Sequence, residues 1–228
     1  MTGFRPHPLA GVGIVLLVAA GCAPAPIRIS DAEIARLKGE PEVRVVRYEP
    51  ASLQVTTRGG DAARQLGLAG LAFGSAADEH KARLVVKEHG LQDPALSVRD
   101  RLVAGLTGEV GLTNVRIVEE PAPTDGADEL RRRFGMGVIL DIKTIVWWLN
   151  YNLNAWDAYR LLYVARARLV RLDGPSVVWQ AICDRSVTEE PTAKLADLMA
   201  DGARLLKQRT IEKTDWCART LLEQLRAR

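Results

Sequence analysis

The clearest pattern in the chain is an alternation of apolar and polar positions in its second half. An apolar run at 138–149 is followed by a polar stretch at 150–157 and by a second run at 158–172. The pair Asp173–Gly174 is a strong turn signal, and residues 177–184 form a third run beyond it. The pattern predicts a three-stranded antiparallel meander whose first loop spans 150–157.

The same alternation assigns side chains to the two faces of this meander. Successive strand positions point to opposite sides, so the odd-numbered residues from Tyr159 to Leu169 share one face and the even-numbered residues from Arg160 to Val170 share the other. If the first hairpin is symmetric about its loop, Asp141 faces Arg166 on the wetter side of the sheet. Opposite charges at such a pair help to set the register of the strands.

Shorter signals place helices and further strands around the meander. Ser30 is a suitable N-cap for a helix that ends at Gly39, and Asp93 followed by a proline begins another that ends near Gly111. The chain becomes helical again from Pro191. The remaining predicted elements are strands at 42–48 and 115–118 and a helix at 126–134. This order predicts an α+β fold: a mixed sheet that contains the antiparallel meander, helices packed on one face, and a long C-terminal helix.

The N-terminus carries a different apolar pattern. Arg5 precedes an apolar run at 9–20, which is too short to span a bilayer as a helix and fits the central region of a secretory signal peptide. The small residues Ala19–Gly21 directly precede Cys22. This ending resembles the lipobox of bacterial lipoproteins, although Ala19 stands where that family prefers leucine.

The resemblance implies a cellular location and a membrane anchor. In such lipoproteins the signal peptide is removed before the cysteine, which is then acylated on its sulfur and on the new amine. Two or more acyl chains hold a protein stably on a membrane, because each buried methylene contributes roughly 0.8 kcal/mol. Ala23 is not the aspartate that retains such proteins at the inner membrane, so the resemblance implies the periplasmic side of the outer membrane. The expected division is a signal peptide at 1–21, a lipidated N-terminus with spacer and short helix at 22–40, and a single α+β domain at 41–228 with a glycine-rich segment at 61–75.

The composition is that of a globular protein, with 47% hydrophobic and 26% charged residues. The formal net charge is only +3, and the densest basic run is Arg131–Arg133. A dedicated nucleic-acid binder carries a clustered basic face, so nucleic acid is not expected as a partner. The basic run is instead expected at the solvated end of a helix. The oligomeric state does not follow from these features.

Apart from Cys22, the chain contains two cysteines, Cys183 and Cys217. Disulfides form and persist in the periplasm, so a bridge between them is expected in preference to two separate buried thiols. Closing a loop of about 34 residues stabilises a fold by about 3–4 kcal/mol in the chain-entropy model. Neither cysteine has a second cysteine or a histidine at ligand spacing, so no metal site is predicted.

The short motifs of the common zinc peptidases, serine hydrolases and nucleotide-binding enzymes are absent from the sequence. Once the signal peptide is removed, His80 and His89 are the remaining histidines, and both lie in charged segments where a solvated side chain is expected. Asp141 and Asp157 flank the apolar hairpin, where strand register and turn formation also explain them. No catalytic residue and no cofactor are therefore predicted. An enzyme of unrecognised type, with Asp141 in a cleft, is the least favoured hypothesis.

Four aromatic residues near the first hairpin loop are the strongest lead to a binding site: Trp147, Trp148, Tyr151 and Trp156. Adjacent tryptophans on a strand point to opposite faces, so one of Trp147 and Trp148 at most can fill the core on a given side. Large aromatics beside polar residues are typical anchors of interfaces and also suit stacking on sugar rings. The four are therefore candidate residues for binding a partner or ligand. The alternative is a structural role, with the hairpin tip packed over a helix end.

The same region resembles small envelope lipoproteins that assist assembly or transport complexes. The resemblance rests on Val138–Ile142 with Trp147, on Tyr159–Tyr163, and on Asp173–Gly174 leading to Trp179, about 45 residues in all. It implies an accessory role and transfers no site residues.

Two functions are therefore expected, in order. The first is a non-enzymatic, outer-membrane-anchored periplasmic lipoprotein that acts as an accessory or assembly factor and binds an envelope protein through the hairpin tip. The second is a module that binds a lipid, a glycan or a peptidoglycan fragment, with the same aromatics lining a groove.

Overall fold

The computed structural model describes residues 26–56, 80, 82–152, 155–185 and 191–227. The predicted lipidation site Cys22 and the glycine-rich segment 61–75 lie outside the described residues, as does the side chain of Trp156.

A long antiparallel hairpin is the spine of the mixed sheet, which has seven strands in the described part of the chain. The strands are β1 (Val43–Val46), β2 (Gln54–Val55), β3 (Val115–Ile117), β4 (Val138–Asn152), β5 (Ala155–Arg171), β6 (Ser176–Asp184) and β7 (Ala193–Lys194). Strands β4, β5 and β6 form the predicted antiparallel meander. On the other edge of β4, β1 and β2 pair in parallel, and β3 pairs in parallel with β1. Strand β7 is antiparallel to β5 beyond the end of β6. The predicted α+β class with a mixed sheet is confirmed.

The helices lie close to the predicted positions, except for the one at 82–89, which the sequence pattern does not predict. They are α1 (Asp31–Gly39), α2 (82–89), α3 (Pro94–Gly105), which continues as a π-helical turn at Leu106–Val110, α4 (Ala127–Phe134) and α5 (Leu195–Arg226). Ser30 accepts a hydrogen bond from the backbone N–H of Glu33 at 3.2 Å, and Asp93 accepts one from that of Ala95 at 2.9 Å. These two caps satisfy backbone donors that the first turn of a helix leaves unpaired.

The main core lies between one face of the sheet and helices α1, α3 and α5. Helices α3 and α5 approach each other closely at Gly105, where an added Cβ would collide with the side chain of Leu222. An alanine at this crossing would require the Leu222 side chain to shift, so glycine permits the close approach of the two helices.

A smaller core lies on the opposite face of the sheet, at the base of the hairpin. Leu130 of α4 packs there with Val46, Ile139, Val170 and Leu172 from the strands and the turn beyond β5, and all five are fully buried. Helices were predicted on one face of the sheet, but α4 packs on the other face. At the base of the hairpin, the sheet therefore has helices on both faces.

The first hairpin loop is shorter than predicted. The prediction of a loop over 150–157 is wrong, because β4 continues to Asn152 and β5 begins at Ala155. Asn152 pairs with Ala155, and the next pair joins Tyr151 to Tyr159, so residues 156–158 form an irregularity on β5. Asparagine and aspartate are depleted in strands, which explains why their presence favoured a loop.

These irregularities also correct the predicted partner of Asp141. A second bulge leaves Ile145 as an extra residue on β4. The two bulges displace the register by a net two residues, so Asp141 pairs with Arg168 and not with Arg166. The extra residue on β4 inverts the alternation along that strand: Ile142 lies in the main core before the bulge and Trp147 lies there after it, so Trp147 and Trp148 occupy the faces opposite to those that regular alternation from Asp141 predicts. The odd-numbered residues from Tyr159 to Leu169 all lie in the main core, as the alternation predicts.

Cys183 of β6 and Cys217 of α5 form a disulfide, as expected. Their Cα atoms are 5.2 Å apart, and both residues are fully buried. The bond therefore links the third strand of the meander to the C-terminal helix inside the main core.

The long C-terminal helix is interrupted near its start. The backbone leaves helical geometry at Ala200–Ala203, where Asp201, Gly202 and Ala203 have φ angles of 53°, 66° and 61°. The left-handed region favours glycine, and Gly202 occupies the middle of the break. The short first turn and the main part of α5 can therefore take different directions.

Candidate functional site

The two adjacent tryptophans of β4 lie on opposite faces of the sheet. Trp147 is 3% exposed and belongs to the main core. Trp148 is half-buried on the other face, where its indole N–H donates to the Thr56 hydroxyl at 2.6 Å. Thr56, directly after β2, therefore fixes the orientation of Trp148, the member of this adjacent pair that the core does not enclose.

The other two predicted binding residues divide in a similar way. Tyr151 is 4% exposed and packs edge-to-face on Tyr159, with ring centroids 5.9 Å apart. The hydroxyl of Tyr159 donates to the backbone carbonyl of Thr56 at 3.2 Å. Tyr151 thus helps to hold the tip of the hairpin together, and no position is described for the Trp156 side chain. The structure places Trp148 on a surface and encloses Trp147 and Tyr151.

Trp148 belongs to an apolar strip on this second face. The register pairs Val146 with Val164 and Trp148 with Leu162, so the four side chains are direct cross-strand neighbours. All four are half-buried. In the described part of the chain, none of them belongs to the main core or to the smaller core, or packs against either as a partly buried side chain. We call these four residues the tip strip.

Polar pairs border the tip strip at both ends. Asn150 pairs with Arg160 on the side of the hairpin loop, and Lys143 pairs with Arg166 on the side of the base. The bulged residue Ile145 lies beside the strip and is 49% exposed. An apolar centre with a polar and cationic border is the usual anatomy of a protein–protein interface.

A charged cluster separates the tip strip from the smaller core. Asp141 is fully buried, and Arg168 donates to it from Nε at 2.9 Å and from Nη2 at 2.5 Å. Arg166 lies 3.7 Å from the same carboxylate and 2.9 Å from that of Asp125. Lys143 also donates to Asp125 at 3.0 Å. A buried charge must be paired, and here arginines on the neighbouring strand pair Asp141.

The cluster shifts the pKa of Asp125 and that of the neighbouring Tyr48. Burial raises the pKa of Asp125, but hydrogen bonds and charge from Lys143 and Arg166 outweigh it and lower the pKa to about 2. Burial, together with the negative charge of Asp141, raises the pKa of Tyr48 above its ordinary range. Asp125 is therefore a carboxylate and Tyr48 a neutral phenol at neutral pH.

This geometry gives Asp141 a structural task. Its carboxylate is enclosed, and Arg168 also donates to the backbone carbonyl of Asp125 at 2.7 Å, which ties the segment before α4 onto the sheet. Asp157, the other acid that the sequence places beside the hairpin, is exposed and lies 3.8 Å from Lys194. The structure thus places Asp141 in an ion pair inside the fold and Asp157 on the surface.

A cavity of about 250 Å³ opens beside the end of β1, on the edge of β4. Its lining includes Tyr48, Asp93, Lys143 and Thr144. Asp93 accepts hydrogen bonds from the backbone N–H of Ala51 at 2.8 Å and from the hydroxyl of Thr144 at 2.6 Å, besides capping α3. Asp93 is thus occupied in joining three segments of the fold.

The residues predicted to bind a partner or ligand do not include four residues of this region: Thr56, Val146, Leu162 and Val164. The signal for the last two is the even-numbered face of β5, where arginines give way to Leu162 and Val164 towards the tip. A strand with apolar residues on both faces is expected to be covered on both sides. Thr56 has no such signal, because its contact depends on the long-range pairing of β2 with β4.

No family model matches the chain, and none of the curated proteins does. Solved structures provide distant neighbours. The chain is similar to the PelC dodecamer from Paraburkholderia phytofirmans, with 16% identity, 83% of this chain and 89% of that chain covered, and a TM-score of 0.32. It is also similar to lipoprotein GNA1162 from Neisseria meningitidis, with 12% identity, coverage of 76% and 98%, and a TM-score of 0.26. A third neighbour is the hypothetical protein CT253 from Chlamydia trachomatis, with 11% identity, coverage of 82% and 94%, and a TM-score of 0.30.

One of these neighbours is thus a lipoprotein, but the similarity is too low to indicate a function. Among the described helices, none combines the length and the apolar character needed to cross a membrane.

Proposed function

We propose that this protein is a non-enzymatic periplasmic lipoprotein, anchored to the outer membrane through Cys22, that acts as an accessory or assembly factor. In this proposal it binds a protein component of the cell envelope through the tip strip. The anchor is supported by the lipobox-like sequence Ala19–Cys22 that follows an apolar run.

The tip strip is the observation that carries the binding role. Val146, Trp148, Leu162 and Val164 form a continuous apolar strip that, among the described residues, belongs to neither core. Tryptophan is among the residues that contribute most to binding energy at interfaces, and its orientation here is already fixed by Thr56. A side chain that is ordered before binding loses less conformational entropy when a partner docks.

The charged cluster supports a role without catalysis. Asp141 is the acid that the enzyme hypothesis names first, and both of its oxygens lie beside arginine nitrogens inside the fold. Both carboxylates of the cluster, those of Asp141 and Asp125, are paired with cations of the sheet, and such pairs between strands help to set the register.

A module that binds a lipid, glycan or peptidoglycan fragment is the second candidate. That hypothesis expects a concave pocket behind Trp147, whereas Trp147 is packed into the main core. The observation that favours it is Trp148, whose half-exposed ring suits stacking on a sugar.

The test is photo-cross-linking in intact cells with the full-length lipoprotein. A photoreactive phenylalanine analogue replaces Leu162 in the tip strip, and the matched control carries it at Ile211, a 51% exposed apolar residue of α5. Cross-linked species are identified by mass spectrometry, and acylation of Cys22 is checked on the N-terminal peptide with Cys22→Ser as reference. We expect one envelope protein to be captured from position 162 and not from position 211.

The double variant Leu162→Asn/Val164→Thr then tests whether capture depends on the tip strip. We expect a severalfold loss of the partner, whereas Ile211→Asn leaves recovery unchanged. Equal recovery by the strip variant and the wild type would contradict the proposed site. Capture of a glycan or lipid from position 162, with no protein, would transfer the site to the second candidate function.

A further inference from the structure

The chain directly after the expected anchor is fixed to one edge of the sheet. Ile27 and Gln180 of β6 exchange two backbone hydrogen bonds, with N–O distances of 2.9 and 3.0 Å. Strand β6 is the last strand on this side of the sheet. The first described residues therefore leave the fold at the β6 edge and not at a remote loop.

The distance from this bridge to the acyl chains is short. Residues 22–25 separate the start of the lipidated chain from Pro26. A fully extended chain advances about 3.3–3.6 Å per residue, so the five steps from Cys22 to the bridged residue Ile27 reach at most about 18 Å. This distance is smaller than the width of the sheet, because its four strand spacings from β6 to β3 amount to about 19 Å.

We infer that the β6 edge, together with the adjoining end of α5, is the surface of this domain that faces the phospholipid headgroups. This inference rests on the proposed acylation of Cys22. The sheet then stands on its edge on the membrane, with β6 nearest to the lipid and β3 farthest from it.

The side chains at this edge fit such a surface. Ile27 is 39% exposed and Arg28 is exposed, which offers an apolar side chain and a cation to the phosphate layer. Gln224 and Ala227 at the end of α5 border a cavity of about 320 Å³ beside Pro26, so the tether leaves the fold between the strand edge and the helix end.

This orientation places the tip strip with respect to the membrane. The strip lies on a face of the sheet, and the face of a sheet standing on its edge is directed along the membrane plane. A partner of the tip strip therefore approaches from the side, at the height of the membrane surface.

The test is lipid-to-protein photolabelling in vesicles. The acylated full-length protein is reconstituted into vesicles of phosphatidylethanolamine and phosphatidylglycerol that contain a phospholipid with a diazirine in its headgroup. Mass spectrometry compares labelling of residues 26–28 and 224–227 with labelling of β3 at 115–117. We expect severalfold stronger labelling at the β6 edge than at β3.

Two variants separate the short tether from other causes. An insertion of about twelve glycine and serine residues after Ala25 lengthens the tether by about 20 Å and is expected to bring the labelling ratio towards one while the protein stays anchored. Ile27→Pro removes the N–H that donates to Gln180 and is expected to act in the same direction, whereas Ile27→Val is expected to preserve the wild-type ratio.

The outcomes distinguish this inference from the proposed function. Equal labelling of β6 and β3 in a protein whose Cys22 is acylated overturns the orientation and leaves the anchor intact. An insertion variant that keeps the wild-type ratio likewise overturns the role of the tether. Absence of acylation on the N-terminal peptide overturns the anchor and, with it, the orientation.

Discussion

The base and the tip of the long hairpin share one face of the sheet but have different surroundings. At the base, α4 covers that face, and Leu130, Ile139 and Val170 are fully buried. At the tip, Trp148 and Leu162 remain half-buried and belong to neither core. Both halves present apolar side chains on this face. Among the described residues, the packing of α4 is what distinguishes the base from the tip.

The largest expected effect comes from the charged cluster at the boundary between these halves. Asp141→Asn leaves Arg168 buried without its anion, and breaking a buried ion pair in this way destabilises a protein by about 3–5 kcal/mol. The free energy of unfolding is measured by urea denaturation. The control is Asp157→Asn, whose exposed pair with Lys194 is expected to contribute about 0–1 kcal/mol. Equal losses in the two variants would show that the cluster does not stabilise the base.

The second effect compares one leucine from each half. Leu130→Ala removes a fully buried side chain from the smaller core and is expected to lower the free energy of unfolding by about 2–5 kcal/mol. Leu162→Ala in the tip strip is expected to lower it by less than about 1 kcal/mol, because its side chain remains partly in water in the folded state. The same denaturation series measures both. A loss at Leu162 as large as that at Leu130 would mean that the tip strip is a core.

Local features of the fold could be predicted from the sequence because they depend on nearby residues. Ser30 and Asp93 cap helices through contacts two or three residues away. The faces of β5 from Tyr159 to Leu169 follow from a period of two, because the extra residues of the two irregularities lie on β4 and at 156–158, outside this stretch. The disulfide between Cys183 and Cys217 was predictable from the pair of cysteines and the oxidising compartment that the N-terminal pattern leads us to expect.

The candidate site could be predicted only in part, because residues far apart in the sequence decide which face of the sheet the helices cover. Alternation places Trp147 and Trp148 on opposite faces but does not show which face α3 and α5 will cover. The partner of Asp141 depends on the bulge at Ile145 and on the irregularity at the hairpin tip, and neither has a distinct sequence signal. Tyr151 therefore carries the same signal as Trp148 in the sequence, although the structure encloses it.

The third prediction concerns the charged cluster at the boundary between base and tip. It states how the stabilisation by Asp125 depends on pH. Its folded pKa of about 2 lies below the ordinary value of 3.8, so the ionised carboxylate stabilises the folded state above about pH 4. This contribution is lost as the pH falls through about 2. Allowing for solvent screening of a partly exposed group, Asp125→Ala is expected to cost about 1 kcal/mol at pH 7 and close to nothing at pH 2.

Thermal unfolding of the wild type and of Asp125→Ala from pH 7 to pH 2 measures this difference. Lys143→Gln, which removes one of the two cationic donors, is expected to cost less than Asp125→Ala at pH 7. A difference between the wild type and Asp125→Ala that stays constant over this pH range would contradict the assignment.

The smallest expected effect concerns the contact that orients Trp148. A double-mutant cycle with Trp148→Phe and Thr56→Val isolates the hydrogen bond between them, expected at about 0.5–1.5 kcal/mol. Thr210→Val, on α5, is the control and is expected to show no coupling to Trp148. A coupling of this size means that Trp148 can be altered in a folded protein, so a loss of partner binding reports on the surface itself. A coupling as large as the effect of Asp141→Asn would instead assign Trp148 to the structure of the tip, and the contrast with the base would disappear.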